Sequence, residues 1–178
     1  MPYEVIESEL THKGLISDVR VDTITLPDGK RASRETVVRG SAAAVLPVDD
    51  NGDLILIKQY RHSIKGFAIE IPAGMTDASD ESPLMCAARE LKEETGYTAN
   101  KIEFLFKMHS AIGFSNEVVY VYEATGLTAG ETDFDEGEFI ETYKVTSDEA
   151  VRMISTGEIT DSKTIAAVLA HRVKLIVS

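Results

Sequence analysis

The segment from residue 82 to residue 96 most constrains the fold, because it specifies a helix with both ends marked. Ser82 can accept a backbone hydrogen bond as the N-cap, and Pro83 suits the first helical position. Gly96 suits the left-handed residue that follows a helix. Helical spacing places small and apolar residues on one narrow face, namely Leu84, Ala87, Ala88, Leu91 and Thr95. We therefore predict a helix that packs this face into a core.

The adjoining face of the predicted helix carries Glu90, Glu93 and Glu94, at positions i, i+3 and i+4. Like charges at that spacing repel one another and weaken an isolated helix. A bound divalent cation would offset the repulsion, and carboxylate oxygens are ligands that Mg2+, Mn2+ and Ca2+ prefer. An ordinary solvated acidic face explains the same residues, so both interpretations stand at this point.

The composition narrows the classes of function. The chain has 178 residues and is 43% hydrophobic, which suits one domain or one domain with a small appendage. Its formal net charge of -12 disfavours nucleic acid as a partner. A small anionic substrate stays compatible with this charge where metal ions mask it locally. The single cysteine, Cys86, excludes an intrachain disulfide and a thiolate metal site, and we interpret it as a small packing residue.

Neither a secretory signal nor a membrane span is recognisable in the sequence. The first ten residues lack a basic segment followed by an apolar one. No apolar run approaches the ~20 residues that cross a bilayer. We expect a cytoplasmic protein with no membrane partner.

The first 40 residues predict a small antiparallel β subdomain. Residues 15–26 alternate apolar and polar side chains in places, and Pro27–Lys30 is typical of a hairpin turn. The segment has too little apolar bulk for its own core, so we expect it to pack against the rest of the chain or a second subunit. The predicted domains are therefore residues 1–40, a small β subdomain, and residues 41–178.

Residues 41–178 predict a mixture of strands and helices. The apolar runs 41–48 and 54–57 flank a tight turn and predict a hairpin. Further strands are predicted at residues 67–71, 102–108, 118–123 and 139–145.

Two more helices are predicted near the end of the chain. Ser147 caps the first and Gly157 ends it. The second runs from residue 160 or 161 to about residue 173. Its predicted inner face consists of Ile165, Val168 and Leu169.

The stretch from Gly74 to Tyr97 resembles the Nudix box, whose pattern is Gly-x5-Glu-x7-Arg-Glu-U-x-Glu-Glu-x-Gly-U with U aliphatic. The matching residues are Gly74, Glu81, Arg89, Glu90, Leu91, Glu93, Glu94 and Gly96. Six residues separate Gly74 from Glu81 where the pattern has five, and Tyr97 stands at the last aliphatic position. Asp80 is the alternative occupant of the first glutamate position, but Glu81 keeps the register with the helix. The extra residue lies in a loop, where changes of length are tolerated.

Four further segments are similar to the ADP-ribose pyrophosphatase branch of that family, which includes nucleotide-sugar hydrolases. They are Gln59–Arg61, Glu70–Gly74, Gly113–Glu117 and Gly157–Thr164. The resemblance implies an α/β fold, an α/β/α sandwich around a mixed sheet, and a homodimer whose small N-terminal antiparallel β subdomain is swapped between subunits. It also implies Mg2+-dependent hydrolysis, with Mn2+ as a substitute, of the pyrophosphate bond of ADP-ribose or a related nucleoside diphosphate sugar. The products would be a nucleoside monophosphate and a sugar phosphate.

The resemblance also implies metal ligands and catalytic residues. Glu90, Glu94 and the Ala73 carbonyl are the candidate ligands, and Glu93 either joins them or orients Arg89. Glu93 and Arg89 are candidates for the catalytic group. Arg89, at i-4 to Glu93, is also placed for a purely structural salt bridge.

The catalytic base is expected in the acidic loop of residues 135–138, because the branch places a mobile glutamate after its central strands. Glu136 is the first candidate and Glu138 the second, and a solvated loop is the alternative. Glu81 lies near the metals and the substrate, or it stabilises its own loop.

Substrate contacts are predicted for Arg61, Glu70 and Glu117. Arg61 can bind a phosphate through its planar fork of donors, or it can form a salt bridge on an acidic surface. Glu70 can accept hydrogen bonds from a ribose or a base. Glu117 can contact a metal or the terminal ribose, or it marks only the start of a surface strand.

Two other functions stay open. One is a Nudix hydrolase of another nucleotide, such as a dinucleoside polyphosphate, NADH or a dNTP. The other is a non-catalytic nucleotide sensor, which the complete set of box glutamates disfavours. The segment Glu70–Gly74 and the N-terminal strands favour a nucleoside diphosphate sugar.

Overall fold

The computed structural model describes residues 3–76, 82–134 and 137–177, which form two compact units. The first unit comprises Met1–Gly40 and His109–Val118, and the second comprises Ser41–Met108 and Val119–Ser178. The segment His109–Val118, which joins two strands of the second unit along the chain, thus belongs to the first unit.

The first unit is built on a three-stranded antiparallel sheet in the order β1-β2-β3. Its strands are β1 (Val5–Lys13), β2 (Asp18–Thr25) and β3 (Arg31–Val38). The β2–β3 hairpin turns where the sequence predicts, and Gly29 there has a φ of 82° that glycine adopts without strain. The predicted N-terminal antiparallel sheet is therefore present.

The second unit contains two sheets. The first has the order β7-β4-β9-β8 and consists of β4 (Ala42–Pro47), β7 (Ala73–Met75), β8 (Tyr97–His109) and β9 (Val118–Ala129). The second has the order β10-β5-β6 and consists of β5 (Leu54–Arg61), β6 (Gly66–Glu70) and β10 (Ile140–Val145). Strand β4 runs parallel to β9 and antiparallel to β7, so the predicted mixed sheet is confirmed.

The predicted hairpin between residues 41–48 and 54–57 is wrong. Strands β4 and β5 lie in different sheets, and only an isolated bridge between Val48 and Leu54 joins the two segments. Both strands are buried on both faces and each pairs with two other strands. A continuous apolar run marks such a central strand but carries no information about its partners.

In the part of the second unit that the structure describes, three α-helices pack on its sheets: α1 (Pro83–Thr95), α2 (Ser147–Thr156) and α3 (Ser162–Val177). Helix α1 has the predicted ends, since Ser82 is its N-cap and Gly96 follows it with a φ of 74°. Helix α2 begins one residue earlier than predicted, because Thr146 rather than Ser147 accepts the capping hydrogen bond from the Glu149 amide.

Two side chains assigned to inner helix faces lie outside. Leu84 on α1 and Leu169 on α3 are 41% and 43% exposed. Cys86 and Glu94 are buried on α1, and His171 is buried on α3. The buried face of each helix thus combines these additional residues with most of the apolar stripe, whose members buried as predicted are Ala87, Leu91 and Thr95 on α1 and Val168 on α3.

The core lies on both sides of β4. Ala44 and Leu46 pack in one cluster with Ala150 of α2 and Val168 of α3. Ala43 and Val45 point the other way, into a second cluster whose remaining buried members are Cys86, Ala87, Leu91, Tyr122 and Ala124. Alternate residues of one strand therefore contact helices on opposite faces, which is the predicted α/β/α sandwich.

Among the described residues, we find no helix with both the length and the apolar character needed to cross a membrane.

Candidate active site

The acidic face of helix α1 is turned into the protein. Glu90 and Glu94 are only 8% and 3% exposed, whereas Glu93 between them is half-buried. The Ser82 cap, whose side chain accepts from the Met85 amide at 3.3 Å, and the left-handed Gly96 fix the ends of the helix. A solvated acidic face is therefore excluded for Glu90 and Glu94.

Burial disfavours the charged forms of the Glu90 and Glu94 carboxylates. Burial raises the pKa of Glu94 to about 8, and the charges of Glu90 and Glu138 add to the increase. Burial likewise raises the pKa of Glu90 to about 6, against the opposing effect of the Arg89 guanidinium. A cation beside two such carboxylates would stabilise their charged forms.

The segment before helix α1 completes this corner of the protein. The Ala73 amide donates to Glu94 Oε2 at 2.9 Å, which joins strand β7 to the helix. A Cβ added to Gly74 would lie 1.9 Å from Glu90 Oε1, so only glycine leaves room for that carboxylate. The structure therefore brings Ala73, Glu90 and Glu94 together, and their role as metal ligands stays a prediction.

Arg89 forms the predicted salt bridge with Glu93. Its Nη1 lies 2.8 Å from Glu93 Oε2 and 2.7 Å from Glu90 Oε1. Its Nη2 donates to the Met75 carbonyl at 3.3 Å. The positive charge of Arg89 thus pairs with Glu90 and Glu93, and its hydrogen bond to Met75 links helix α1 to strand β7. A catalytic role for Arg89 or Glu93 stays a prediction.

Arg61 and Glu70 form one ion cluster. Arg61 Nε and Nη2 donate to the two oxygens of Glu70 at 2.6 and 2.8 Å, and Lys163 Nζ also donates to Glu70 Oε2. The Glu70 side chain is 4% exposed and both its oxygens are engaged, while Arg61 stays 41% exposed. The charge of Glu94 also acts on the Arg61 guanidinium. Their predicted contacts with substrate stay predictions.

The two candidate bases, Glu136 and Glu138, follow strand β9 in the sequence. Asp133 donates its amide to the Glu93 carbonyl at 3.0 Å, which holds this segment against the end of helix α1. Glu138 is exposed, and its charge raises the pKa of both Glu90 and Glu94. Glu136 and Glu81 lie outside the described residues.

Glu117 belongs to the first unit. Its carboxylate lies 3.0 Å from Arg39 Nε, and the neighbouring Asn116 Oδ1 accepts from the Arg39 amide at 2.8 Å. The predicted contact of Glu117 with a metal or a ribose stays a prediction.

The sequence alone does not predict that three residues around the start of helix α3 contribute to the site. Asp161, Lys163 and Thr164 bond to one another and reach Glu70 and Ile71, as described below. The local signal, an aspartate three residues before a threonine, indicates only a helix cap. Their partners are 93 residues away in the chain, so no local pattern could reveal the contact.

The donor atoms present fit a hard divalent cation. Within residues 3–76, 82–134 and 137–177, no three His, Cys, Asp or Glu side chains form a ready metal cluster. Glu90 and Glu94 bring two carboxylates together beside Gly74 and the Ala73 amide, and the Ala73 carbonyl stays a predicted third ligand. Mg2+ commonly binds through one or two carboxylates and completes its shell with water and substrate phosphates, so this donor set suits it.

The α/β/α sandwich and the buried glutamates of helix α1 agree with a comparison against known protein families. The model of the NUDIX domain matches residues 38–168. The chain belongs to the Nudix family.

Three relatives resemble the chain over most of its length. It is 38% identical to an ADP-ribose pyrophosphatase of Bacillus subtilis, over 93% of this chain and 90% of that protein. It is 39% identical to an ADP-ribose pyrophosphatase of Mycobacterium tuberculosis, over 94% and 82%. It is 35% identical to a methanol dehydrogenase activator of Bacillus methanolicus, over 93% and 90%.

A solved structure has the same fold. A crystal structure of an ADP compounds hydrolase matches with a TM-score of 0.88, covering 98% of this chain and 95% of that one. Its sequence identity of 22% restricts that likeness to the fold.

Proposed function

We propose that this protein hydrolyses the pyrophosphate bond of ADP-ribose or a related nucleoside diphosphate sugar with the help of Mg2+. The observation that carries the proposal is a pair of buried carboxylates in a Nudix chain, with Glu90 against Gly74 and Glu94 bonded to the Ala73 amide. The names of two relatives, both ADP-ribose pyrophosphatases, support this substrate class.

The residues of the site have separable tasks in this reaction. Glu90, Glu94 and the Ala73 carbonyl would hold Mg2+, which neutralises phosphate charge and lowers the pKa of a bound water. Arg89 keeps Glu93 and Glu90 in place through its ion pairs. The half-exposed Arg61 guanidinium donates to a phosphate oxygen. Burial of Glu94 lets its full charge act on that cation rather than on solvent.

A glutamate of the loop after strand β9 takes the proton of the attacking water. We assign Glu136 first and Glu138 second. The oxygen of that water ends on a phosphate, so the products are a nucleoside monophosphate and a sugar phosphate. The influence of Glu138 on both buried carboxylates supports placing this loop beside the site.

The protein acts as a cytoplasmic homodimer in this proposal. Strand β1 is exposed along all of its nine residues in the single chain, which supports a partner on that sheet. We assign residues 1–40 to dimerisation, with the strands swapped between subunits. Equilibrium sedimentation of the full chain tests the dimer, and a monomer at working concentration would contradict it.

A hydrolysis screen with product identification tests the proposed activity. ADP-ribose, GDP-mannose, UDP-glucose, NADH and a dinucleoside polyphosphate are each incubated with Mg2+ and followed by 31P NMR. Labelled water shows which phosphorus is attacked. Turnover of a nucleoside diphosphate sugar above the others supports the proposal, preference for another nucleotide moves the function to the alternative class, and no turnover at all favours a nucleotide sensor.

A further inference from the structure

The segment Glu70–Ala73 links two sheets and carries a candidate metal ligand. It connects strand β6 of one sheet with strand β7 of the other. Within it, the Pro72 carbonyl accepts from the Val45 amide at 2.9 Å, and the Ala73 amide donates to Glu94 at 2.9 Å. Pro72 has no amide hydrogen, so the Ile71 amide is the donor on which the position of the segment further depends.

The side chain of Thr164 in helix α3 accepts the hydrogen bond of the Ile71 amide. The Ile71 amide donates to Thr164 Oγ1 at 2.8 Å, and Thr164 is fully buried. An amide can only donate, so the threonine hydroxyl must accept here and direct its own hydrogen elsewhere. The Thr164 hydroxyl donates to Asp161 Oδ2 at 2.6 Å, and the Thr164 amide donates to the same oxygen at 3.0 Å. Asp161 thus fixes the direction of the hydroxyl.

A second contact from the same helix reinforces the first. Lys163 Nζ lies 3.1 Å from Asp161 Oδ2 and also donates to Glu70 Oε2. Consecutive residues of helix α3 therefore hold consecutive residues of the linking segment, Lys163 on Glu70 and Thr164 on Ile71. Two residues further on are the Ala73 carbonyl and the amide that orients Glu94.

We propose that Thr164, oriented by Asp161, is a positioning residue for the metal site, acting through the Ile71 amide on Ala73 and Glu94. The proposal rests on the proposed function, because it assumes that Ala73 and Glu94 hold the cation. Groups that orient metal ligands typically change metal affinity 10- to 100-fold when they are removed.

Mn2+ binding to the full chain without substrate, followed by electron paramagnetic resonance, tests the proposal. Thr164→Val keeps the shape and removes the acceptor, so we expect affinity to fall about 10-fold or more. Thr164→Ser keeps the hydroxyl and should bind within about threefold of wild type, allowing for a lost methyl contact. Val168→Ala, one turn along the buried face of the same helix, should lower the melting temperature and leave Mn2+ affinity unchanged.

Amide exchange separates positioning from general destabilisation. In Thr164→Val the Ile71 amide should exchange faster than in Val168→Ala at matched global stability. Should Thr164→Val not fold, Asp161→Asn provides the test, with weaker Mn2+ binding expected because the hydroxyl loses its charged acceptor. Unchanged Mn2+ affinity in folded Thr164→Val, or an equal loss in Val168→Ala, overturns the proposal. Wild-type protein that binds no Mn2+ overturns the metal assignment of the proposed function itself.

Discussion

A Cβ atom at position 74 would lie 1.9 Å from Glu90 Oε1, so the backbone of Gly74 and the carboxylate of Glu90 occupy one shared space. The other atoms of that carboxyl group, Cδ and Oε2, would lie at 2.3 and 2.7 Å. Any side chain at this position must displace the end of Glu90. A side chain end moves more easily than a strand, so the fold should tolerate a change that the metal site does not.

Gly74→Ala should therefore lower Mn2+ affinity and turnover by about 10-fold or more while the protein stays folded. Circular dichroism and Mn2+ titration measure the two effects. Gly66→Ala in strand β6 is the matched control, because the nearest neighbour of the added Cβ would be the Ile64 carbonyl oxygen at an ordinary 3.7 Å. Wild-type metal affinity in Gly74→Ala would contradict the placement of Glu90 among the ligands.

Glu94→Gln should reduce turnover by orders of magnitude and leave the fold intact. The folded-state pKa of about 8 lies above the ordinary value of 4.5. Without metal, the ionised carboxylate therefore destabilises the fold increasingly as pH rises from about 5 to 8. The neutral amide escapes this cost and can still accept from the Ala73 amide. The metal-free variant should thus melt at or above the wild-type temperature at pH 8.

Steady-state kinetics and thermal melts at pH 5 and pH 8 check both parts of that prediction. Glu149→Gln is the control and should keep wild-type turnover, because the Glu149 side chain is 44% exposed on helix α2 and lies outside the candidate site. Near wild-type turnover of Glu94→Gln would remove Glu94 from the metal ligands.

Glu136→Gln should slow turnover without weakening Mn2+ binding, because a base acts on the water rather than holding the cation. Glu138→Gln should have a smaller effect on turnover. Measuring kcat beside Mn2+ affinity in both variants separates the two roles. A slowed reaction in Glu138→Gln alone would move the base assignment to the second candidate.

A buried ion cluster far from the glutamate pair along the chain should govern acid stability. Glu123 accepts from His171 Nδ1 at 2.8 Å and from Lys174 at 2.7 Å. The hydrogen bond from His171 is the main reason that the pKa of Glu123 falls from 4.5 to about 2. A lowered folded-state pKa stabilises the fold above pH 4.5, and that stabilisation is lost as pH falls toward 2.

Urea unfolding between pH 7 and pH 2 measures this effect. Wild-type protein should lose about 3 kcal/mol more than Glu123→Gln across this range, since one pKa unit corresponds to about 1.4 kcal/mol. Glu149→Gln, which breaks an exposed pair with Arg152, is the control and should resemble wild type. Parallel pH profiles for wild type and Glu123→Gln would show that Glu123 does not carry the acid sensitivity.

The ends of helix α1 and one of its salt bridges can be predicted from residues that are neighbours in the sequence. Its ends follow from Ser82, Pro83 and Gly96, whose preferences depend on backbone conformation within a few residues. The salt bridge between Arg89 and Glu93 is equally local, because one helical turn brings the two side chains together. Both features were predictable for that reason.

Local sequence does not predict which strands pair or which side chains of a helix are buried. The runs that form β4 and β5 predict a hairpin, yet they are the central strands of separate sheets. Leu84 is expected on the inner face of helix α1 but is exposed, whereas Cys86 and the two glutamates are buried beside the correctly predicted Ala87 and Leu91. Pairing and burial depend on neighbours remote in the chain, which periodicity does not specify.

By itself, the sequence determined the family, the ends of the central helix and the spacing of its glutamates, because each depends on residues within about 25 positions of one another. Only the tertiary structure decided that Glu90 and Glu94 are buried, that Gly74 leaves room for a carboxylate, and that Thr164 holds the Ile71 amide. The Thr164 contact joins parts of the chain that are 93 residues apart. The Gly74 contact joins nearby residues but exists only because strand β7 packs against helix α1. The electrostatic cost of a buried carboxylate, and hence its affinity for a cation, exists only after that packing has excluded water.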